Sequence, residues 1–238
     1  MRGLFVTGTG TGVGKTVLSA ALLAAMAAAG GQVRAHKPVV TGLDEPPGEW
    51  PPDHELLARI AGMAPEEVAP LRYEPAVSPH LAGELAGERI DPDRIVTAAT
   101  AALRTADAQG AVLVVEGVGG LLVPLSESFT VLDLAAKLGL PLLIAASPGL
   151  GTINHTLLTL QAARAAALDV RAVVLTPWPE QPAAVEASNR ATIARLGGVE
   201  VVTFPRLPSP DLAALADAGE LLPWRRWLPC ERFVPSRA

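Results

Sequence analysis

Short, nearly uninterrupted apolar runs alternate along this chain with longer alanine- and leucine-rich stretches. That is the pattern of parallel strands covered on both faces and joined by helices. Leu4-Phe5-Val6 reads as a first buried strand. Lys15 to Ala29 reads as a helix stopped by Gly30-Gly31, and Gln32 to Val40 as a second strand. The stretch from Leu43 to Asp91 is less regular and rich in Pro and Gly, with a helix predicted to begin near Asp53, where His54-Glu55-Leu56-Leu57 suits a first turn. Ala111 to Val115 is the clearest strand in the chain. Further alternation follows: Pro141 to Ala146 as strand, Ile153 to Ala167 as helix, Val170 to Leu175 as strand, a helix from near Pro182, and a strand from Val199 to Phe204. The pattern predicts an α/β fold: a single-domain, mostly parallel β-sheet flanked by helices on both faces; the glycine-rich run Gly8 to Thr16 between the first strand and the first helix makes it P-loop NTPase-like. Residues 1–221 form the expected domain, without internal repeat or dividing linker. Residues 222–238, with Arg225 and Arg226 between Trp224 and Trp227, are set apart as a C-terminal tail of unassigned role, packing across the body or at an interface.

Composition narrows the function classes. The 238 residues are 50% apolar, with a mean hydropathy of +0.34, which excludes extended disorder. Charged residues make up only 18% and the net charge is −5, so no basic face is expected for nucleic acid or for a membrane surface. The longest apolar helical stretch, Val17 to Ala29, is interrupted by Ser19 and falls short of the roughly 20 residues that span a bilayer. No export signal is read at the start, where Met1-Arg2-Gly3 leads directly into the first strand. The single cysteine, Cys230, allows no intrachain disulfide and no thiolate metal cage, in keeping with an expected cytoplasmic location. Of the 19 basic residues only Lys15, Lys37 and Lys137 are lysines. A position that keeps lysine in so arginine-biased a chain is a candidate for a compact ammonium, which a planar guanidinium does not imitate.

The most informative segment is Gly8-Thr9-Gly10-Thr11-Gly12-Val13-Gly14-Lys15-Thr16, between the first strand and the first helix. Glycines let backbone N–H groups turn inward around an anion, and the helix N-terminus adds partial positive charge. Lys15 would reach the β- and γ-phosphates and the Thr16 hydroxyl would ligate Mg²⁺. No G-x-G-x-x-G register exists here, which excludes the nicotinamide fingerprint. The strict G-x-x-x-x-G-K-[ST] pattern also fails, because Thr9 stands where it requires glycine. Counted from Gly8, the loop is one residue longer. A nucleoside triphosphate site is expected.

Glu116 follows the strand Ala111 to Val115, so its carboxylate is expected at the carboxyl edge of the sheet, where open α/β sheets bind ligands. Gly117-Val118-Gly119-Gly120 after it lets a ligand approach the backbone. A carboxylate there can hold Mg²⁺ together with Thr16; an ordinary strand-end glutamate is the alternative. Asp53 is open between a metal-binding role and a purely structural place at a helix start.

The loop Gly8 to Thr16, followed by Lys37-Pro38-Val39-Val40-Thr41-Gly42, resembles the dethiobiotin synthetase family of ATP-dependent cyclo-ligases. So do Ser78-Pro79-His80, Val115-Glu116-Gly117-Val118-Gly119-Gly120, Pro124-Leu125 and Gly151-Thr152-Ile153-Asn154-His155. The matches run in family order from about residue 3 to 208. The resemblance implies that 7,8-diaminopelargonate and CO₂ (or bicarbonate) form a carbamate, that ATP phosphorylates it, and that the second amine closes a cyclic urea. It implies Lys37, Lys15 and Thr11 as catalytic residues. The nucleotide would lie on Gly12, Val13, Gly14, Lys15, Thr16, Val17 and Glu116, with Thr176, Pro205 and Leu207 toward the base. The metal would lie on Thr16, Asp53 and Glu116. Thr11, Lys37, Thr41 and the run Gly117, Val118, Gly119, Gly120 would surround the diamine. In a homodimer, Thr152, Ile153 and Asn154 of the second copy would bind the substrate carboxylate. His80 and His155 receive no catalytic role.

Two departures from the family pattern stand out. Gly12 replaces a residue that is often acidic, and Thr176-Pro177 replaces an asparagine that reads adenine in many members. A deviant P-loop regulatory or partitioning ATPase is the alternative reading, but it leaves Lys37-Pro38 and Asn154-His155 without a purpose. A non-enzymatic nucleotide-binding module and an amide ligase with a glutaminase domain are weaker still. The first leaves Lys15, Thr16, Lys37 and Glu116 together unexplained, and the second needs a nucleophilic cysteine that Cys230 does not supply.

Overall fold

A computed structural model describes residues 2–46 and 48–228. Six parallel strands form its central sheet, in the spatial order β10-β9-β8-β1-β5-β2. In chain order the elements are β1 (Gly3–Gly8), α1 (Lys15–Ala28), β2 (Val33–His36), β3 (Val39–Val40), α2 (Asp53–Ala61), α3 (Pro65–Val68), β4 (Leu71–Arg72), α4 (Pro79–Leu85) and α5 (Pro92–Ala108). Then come β5 (Val112–Gly120), β6 (Pro124–Ser126), β7 (Phe129–Thr130), α6 (Val131–Leu138), β8 (Leu142–Ala146), α7 (Thr152–Ala165), β9 (Val170–Trp178), α8 (Ala184–Gly197), β10 (Glu200–Pro205), α9 (Leu212–Glu220) and α10 (Trp224–Trp227).

β1 lies at the centre, with Phe5 opposite Val115 of β5 on one side and Leu142 of β8 on the other. Strands buried on both faces have no polar face to show, which is why β1, β5 and β8 read as continuous apolar runs. One face of the sheet packs on α5, α6, α7 and α8 through residues such as Ile95, Leu134, Leu160 and Ile193. The other packs on α1, α2 and α9 through Leu18, Leu22, Leu57 and Leu215. α1 is buried almost all round because α9 lies directly against it. A side chain at Gly219 would place its Cβ 2.2 Å from the Ala21 carbonyl oxygen, so only glycine permits that approach.

The structure redraws several predicted boundaries. The expected strand Gln32 to Val40 is two strands, not one. β2 ends at His36, the Lys37 N–H donates to Val68 O at 2.8 Å, and Pro38 has no N–H to continue the ladder. Val39-Val40 pairs instead with β4 in a separate two-stranded sheet. β5 does not stop at Val115 but runs on to Gly120. Val6 pairs with Glu116 and Gly8 with Gly120, so Gly117 to Gly119 bulge opposite Thr7.

The sequence reading did not predict α3, α4, α5, α6, α9 or α10; of these, α5, α6 and α9 each open on a side-chain cap. Asp91 accepts from the Asp93 N–H, Thr130 forms a capping box with Asp133, and Asp211 accepts from the Ala214 N–H. The boundary drawn at 221/222 does not coincide with a packing boundary. Leu222, Trp224, Trp227 and Leu228 are buried in the core with α1 and α9, and the Trp227 indole donates to Glu200 at 3.0 Å. Residues 229–238 of the tail, Cys230 among them, lie outside the described residues. No helix among the described residues is long and apolar enough to cross a membrane.

Candidate active site

β1 delivers the chain to the glycine loop at the carboxyl edge of the sheet, and α1 starts at Lys15. Gly14 adopts a left-handed conformation (φ 82°) at the N-cap, with no side chain capping the helix, so the first-turn N–H groups stay available to an anion. A Cβ at Gly14 would also meet Thr176 at 3.1 Å. Lys15 folds back over the loop, its Nζ donating to Gly10 O at 2.8 Å, and burial brings its pKa down to about 8.

Three further segments converge beside this loop. Lys37 follows β2, Asp53 opens α2 and Glu116 lies within β5. Lys37 Nζ is 2.6 Å from Glu116 Oε1 and 2.9 Å from Asp53 Oδ2, and Thr16 Oγ1 donates to the same Glu116 oxygen at 2.9 Å. Lys37 and Glu116 are buried, at 4% and 0% exposure. Burial disfavours the Lys37 ammonium, but the Asp53 and Glu116 carboxylates outweigh it and hold the amine charged well beyond the usual lysine range. For Asp53, burial would raise the pKa, but Lys37 outweighs it and keeps the carboxyl below its ordinary value.

The other Glu116 oxygen, Oε2, is buried with no hydrogen-bond partner. An unpartnered buried carboxylate oxygen is costly unless a cation meets it. No group of three or more His, Cys, Asp or Glu able to hold a metal occurs among the described residues. The donor set is thus two carboxylates and a hydroxyl. That fits Mg²⁺, which commonly takes one or two carboxylates and completes its octahedron with phosphate oxygens and water.

These groups face a cavity of about 660 Å³. Of the residues singled out in the sequence, Thr11, Gly12, Gly14, Lys15, Thr16, Val17, Lys37, Thr41, Asp53, Val118 and Gly119 line it. Glu116 reaches it through Thr16 and Lys37. Val13 does not line it; its Cγ2 would lie 2.7 Å from a Cβ at Gly8. Gly117 packs on Val131 and Phe5, and Gly120 lies against the backbone of Gly8 and Thr9 at the start of the loop; neither lines the cavity.

Thr176, Pro205 and Leu207 lie at or just beyond the carboxyl ends of β9 and β10, on the opposite side of β1 from Lys37 and Glu116. The sheet order therefore separates the base-side candidates from the cluster of charges. Thr152, Ile153 and Asn154 form the first turn of α7 and do not line the cavity; Thr152 is buried, its hydroxyl 3.3 Å from that of Thr156, and Asn154 is exposed. Sequence reasoning missed Glu45, Trp50 and Ala76, which also form the wall. A tryptophan inside a Pro- and Gly-rich loop was the available signal for Trp50.

A parallel sheet that sets a glycine loop, Lys15 and Thr16 at its carboxyl edge defines a P-loop protein, and a family model described as an AAA domain matches residues 2–211. Solved structures of similar fold include the MinC:MinD cell division protein complex of Aquifex aeolicus (TM-score 0.52, 15% identity, covering 98% of this chain and 100% of that one). A ParA family ATPase from Chlorobium tepidum TLS is similar as well (TM-score 0.52, 12% identity, 93% and 92%). Sequence relatives are much nearer. The ATP-dependent dethiobiotin synthetase of Caulobacter sp. (strain K31) is 41% identical over 219 residues, covering 91% of this chain and 94% of that protein. The one from Anaeromyxobacter sp. (strain Fw109-5) is 42% identical over 238 residues, covering 100% and 97%. The chain belongs to the ATP-dependent dethiobiotin synthetase family and is a ligase that uses ATP.

Proposed function

We propose that the enzyme converts 7,8-diaminopelargonate, CO₂ and ATP into dethiobiotin, ADP and phosphate by way of a carbamate and a carbamic-phosphoric anhydride. The observation that carries this reading is the convergence of Lys15, Thr16, Lys37 and Asp53 on one cavity, with Glu116 bonded to Thr16 and Lys37 behind them. Carbamate formation joins an amine nitrogen to CO₂ and releases a proton. A carbamate oxygen then attacks the γ-phosphorus and ADP leaves. The second amine attacks the activated carbonyl, closes the five-membered urea and expels phosphate.

Phosphoryl transfer of this kind needs position and cations more than covalent help from the protein. The loop N–H groups and Lys15 hold the phosphates, and Lys37 supplies a second ammonium for the transferring group. Thr11, Thr41 and the Val118-Gly119 backbone surround the diamine, with Gly117 and Gly120 fixing that backbone in place. Thr16, Asp53 and Glu116 would hold Mg²⁺, which when bound neutralises phosphate charge. The base would rest against Thr176, Pro205 and Leu207. Thr152, Ile153 and Asn154 stand apart from the cavity in a single chain. That supports a homodimer in which the first turn of α7 from a second copy receives the substrate carboxylate.

The test is incubation of the purified protein with 7,8-diaminopelargonate, bicarbonate, Mg²⁺ and ATP, with products followed by mass spectrometry. A cyclic urea formed one-for-one with ADP is the expected result. ADP released without the urea would overturn the reading in favour of a switch-type ATPase.

A further inference from the structure

Ser78-Pro79-His80 opens α4, and neither polar side chain has a part in the chemistry above. Ser78 stands at the N-cap position (φ −63°, ψ 149°), where a serine hydroxyl ordinarily accepts an N–H of the first turn. Here it makes no such bond. Its Oγ lies 3.0 Å from His80 Nδ1. The hydroxyl is thus withdrawn from its usual structural task and held by an imidazole.

Ser78 lines the same cavity as Lys37 and Thr41, whereas His80 does not. The ring belongs instead to a neighbouring cavity of about 280 Å³, beside Glu84 and Arg89, so it reaches the active site only through Ser78. The wall carrying Ser78 is tied to the one carrying Thr41. The Gly42 N–H donates to Pro75 O at 3.0 Å, and a Cβ at Gly42 would meet the Ala76 Cβ at 3.3 Å.

We propose that Ser78 contacts an amine of the substrate and that His80 is the positioning residue that fixes the Ser78 hydroxyl as an acceptor. This rests on the diamine substrate proposed above. With neutral His80 accepting the Ser78 hydrogen at Nδ1, the Oγ lone pairs are left for an N–H in the cavity. The chemistry explains why the acceptor is neutral. Both amines must attack as free bases, and a carboxylate beside either would stabilise its ammonium form. A serine oxygen accepts the N–H bond and leaves the nitrogen lone pair free to react.

The test measures dethiobiotin formation by Ser78→Ala, His80→Leu, His80→Asn and the Ser78→Ala/His80→Leu double variant, with KM determined separately for the diamine and for ATP. Loss of one such hydrogen bond is expected to raise KM for the diamine about tenfold in Ser78→Ala and in His80→Leu, with KM for ATP unchanged. His80→Asn, whose side-chain carbonyl can accept where Nδ1 did, is expected to retain the wild-type value. The double variant is expected to be no worse than Ser78→Ala alone, because His80 acts only through Ser78. An unchanged diamine KM in Ser78→Ala, or additive losses in the double variant, would overturn the proposal. If His80→Leu does not fold, Ser78→Ala and His80→Asn decide the matter between them. Failure of the wild-type enzyme to make dethiobiotin would instead remove the proposed function itself.

Discussion

Lys37 Nζ lies 2.6 Å from Glu116 Oε1, closer than either residue comes to any other charged group, and 2.9 Å from Asp53 Oδ2. The cation proposed to meet the transferring phosphoryl group is therefore held between the two carboxylates proposed to hold Mg²⁺. The two carboxylates hold the Lys37 amine in its charged form despite its burial.

Lys37→Gln is accordingly expected to lower kcat for ligation by at least about a hundredfold, as loss of a positioned transition-state charge does, while the Kd for ATP changes little. The same variant frees both carboxylates, so Mn²⁺ is expected to bind the nucleotide-free protein more tightly than it binds the wild type. Steady-state kinetics and calorimetric titration check the two halves. Ligation at the wild-type rate would refute the catalytic role of Lys37.

His36 ends β2 with both ring nitrogens buried and unpartnered, and burial pushes its pKa down to about 4. The sign of the consequence is fixed. Between about pH 6.5 and 4 the unfolded chain binds a proton at this site that the folded chain does not, so stability falls as pH falls through that window. The full effect approaches about 3 kcal/mol and is absent above the unfolded pKa. Denaturant unfolding of the wild type and of His36→Leu at pH 7.5 and pH 4.5 should show a smaller pH penalty in the variant. An equal penalty would mean that His36 is not the group responsible.

Thr176 is buried against Gly14 at the end of β9. A hydroxyl offers fewer donors and acceptors than the asparagine amide that the family resemblance leads one to expect there. The expected result is weak discrimination, with kcat/KM for GTP and CTP within about tenfold of that for ATP, and a sharper ATP preference in Thr176→Asn. A strong wild-type preference for ATP in a competition assay would contradict this.

Gly219→Ala places a methyl group where the Ala21 carbonyl oxygen is 2.2 Å away, and neither helix has a flexible side chain there to yield. Overpacking of this kind costs about 1–3 kcal/mol. Thermal unfolding should show the loss, while KM values stay near wild type because α9 does not touch the cavity. Unchanged stability would mean that α1 and α9 separate more easily than their packing implies.

Much of this was legible in the chain itself. The glycine loop, Lys15 and Thr16 are contiguous, so their chemistry is written in local order. The apolar runs of β1, β5 and β8 announce strands covered on both faces. The caps of α5, α6 and α9 were also present as Asp91, Thr130 with Asp133, and Asp211, and reading them would have added those three helices, leaving only the short α3, α4 and α10 unread among the described helices.

Local pattern alone fixed the class of fold, the loop and the identity of the chemical groups, because backbone geometry and periodicity act over a few residues. Tertiary structure alone decided what those groups meet. Lys37 and Glu116 are 79 residues apart, and Thr16 and Glu116 are 100 apart. Their contacts exist because β5, which carries Glu116, lies between β1, which leads to Thr16, and the edge strand β2, at whose broken end Lys37 stands. The burial of Trp224 and Trp227, the Cβ-free approach of Gly219 to α1, and the capture of the Ser78 hydroxyl by His80 belong to the same class. The first two depend on how distant segments pack in three dimensions; the third joins residues only two apart, but which partner the Ser78 hydroxyl takes is a matter of side-chain geometry that spacing does not carry.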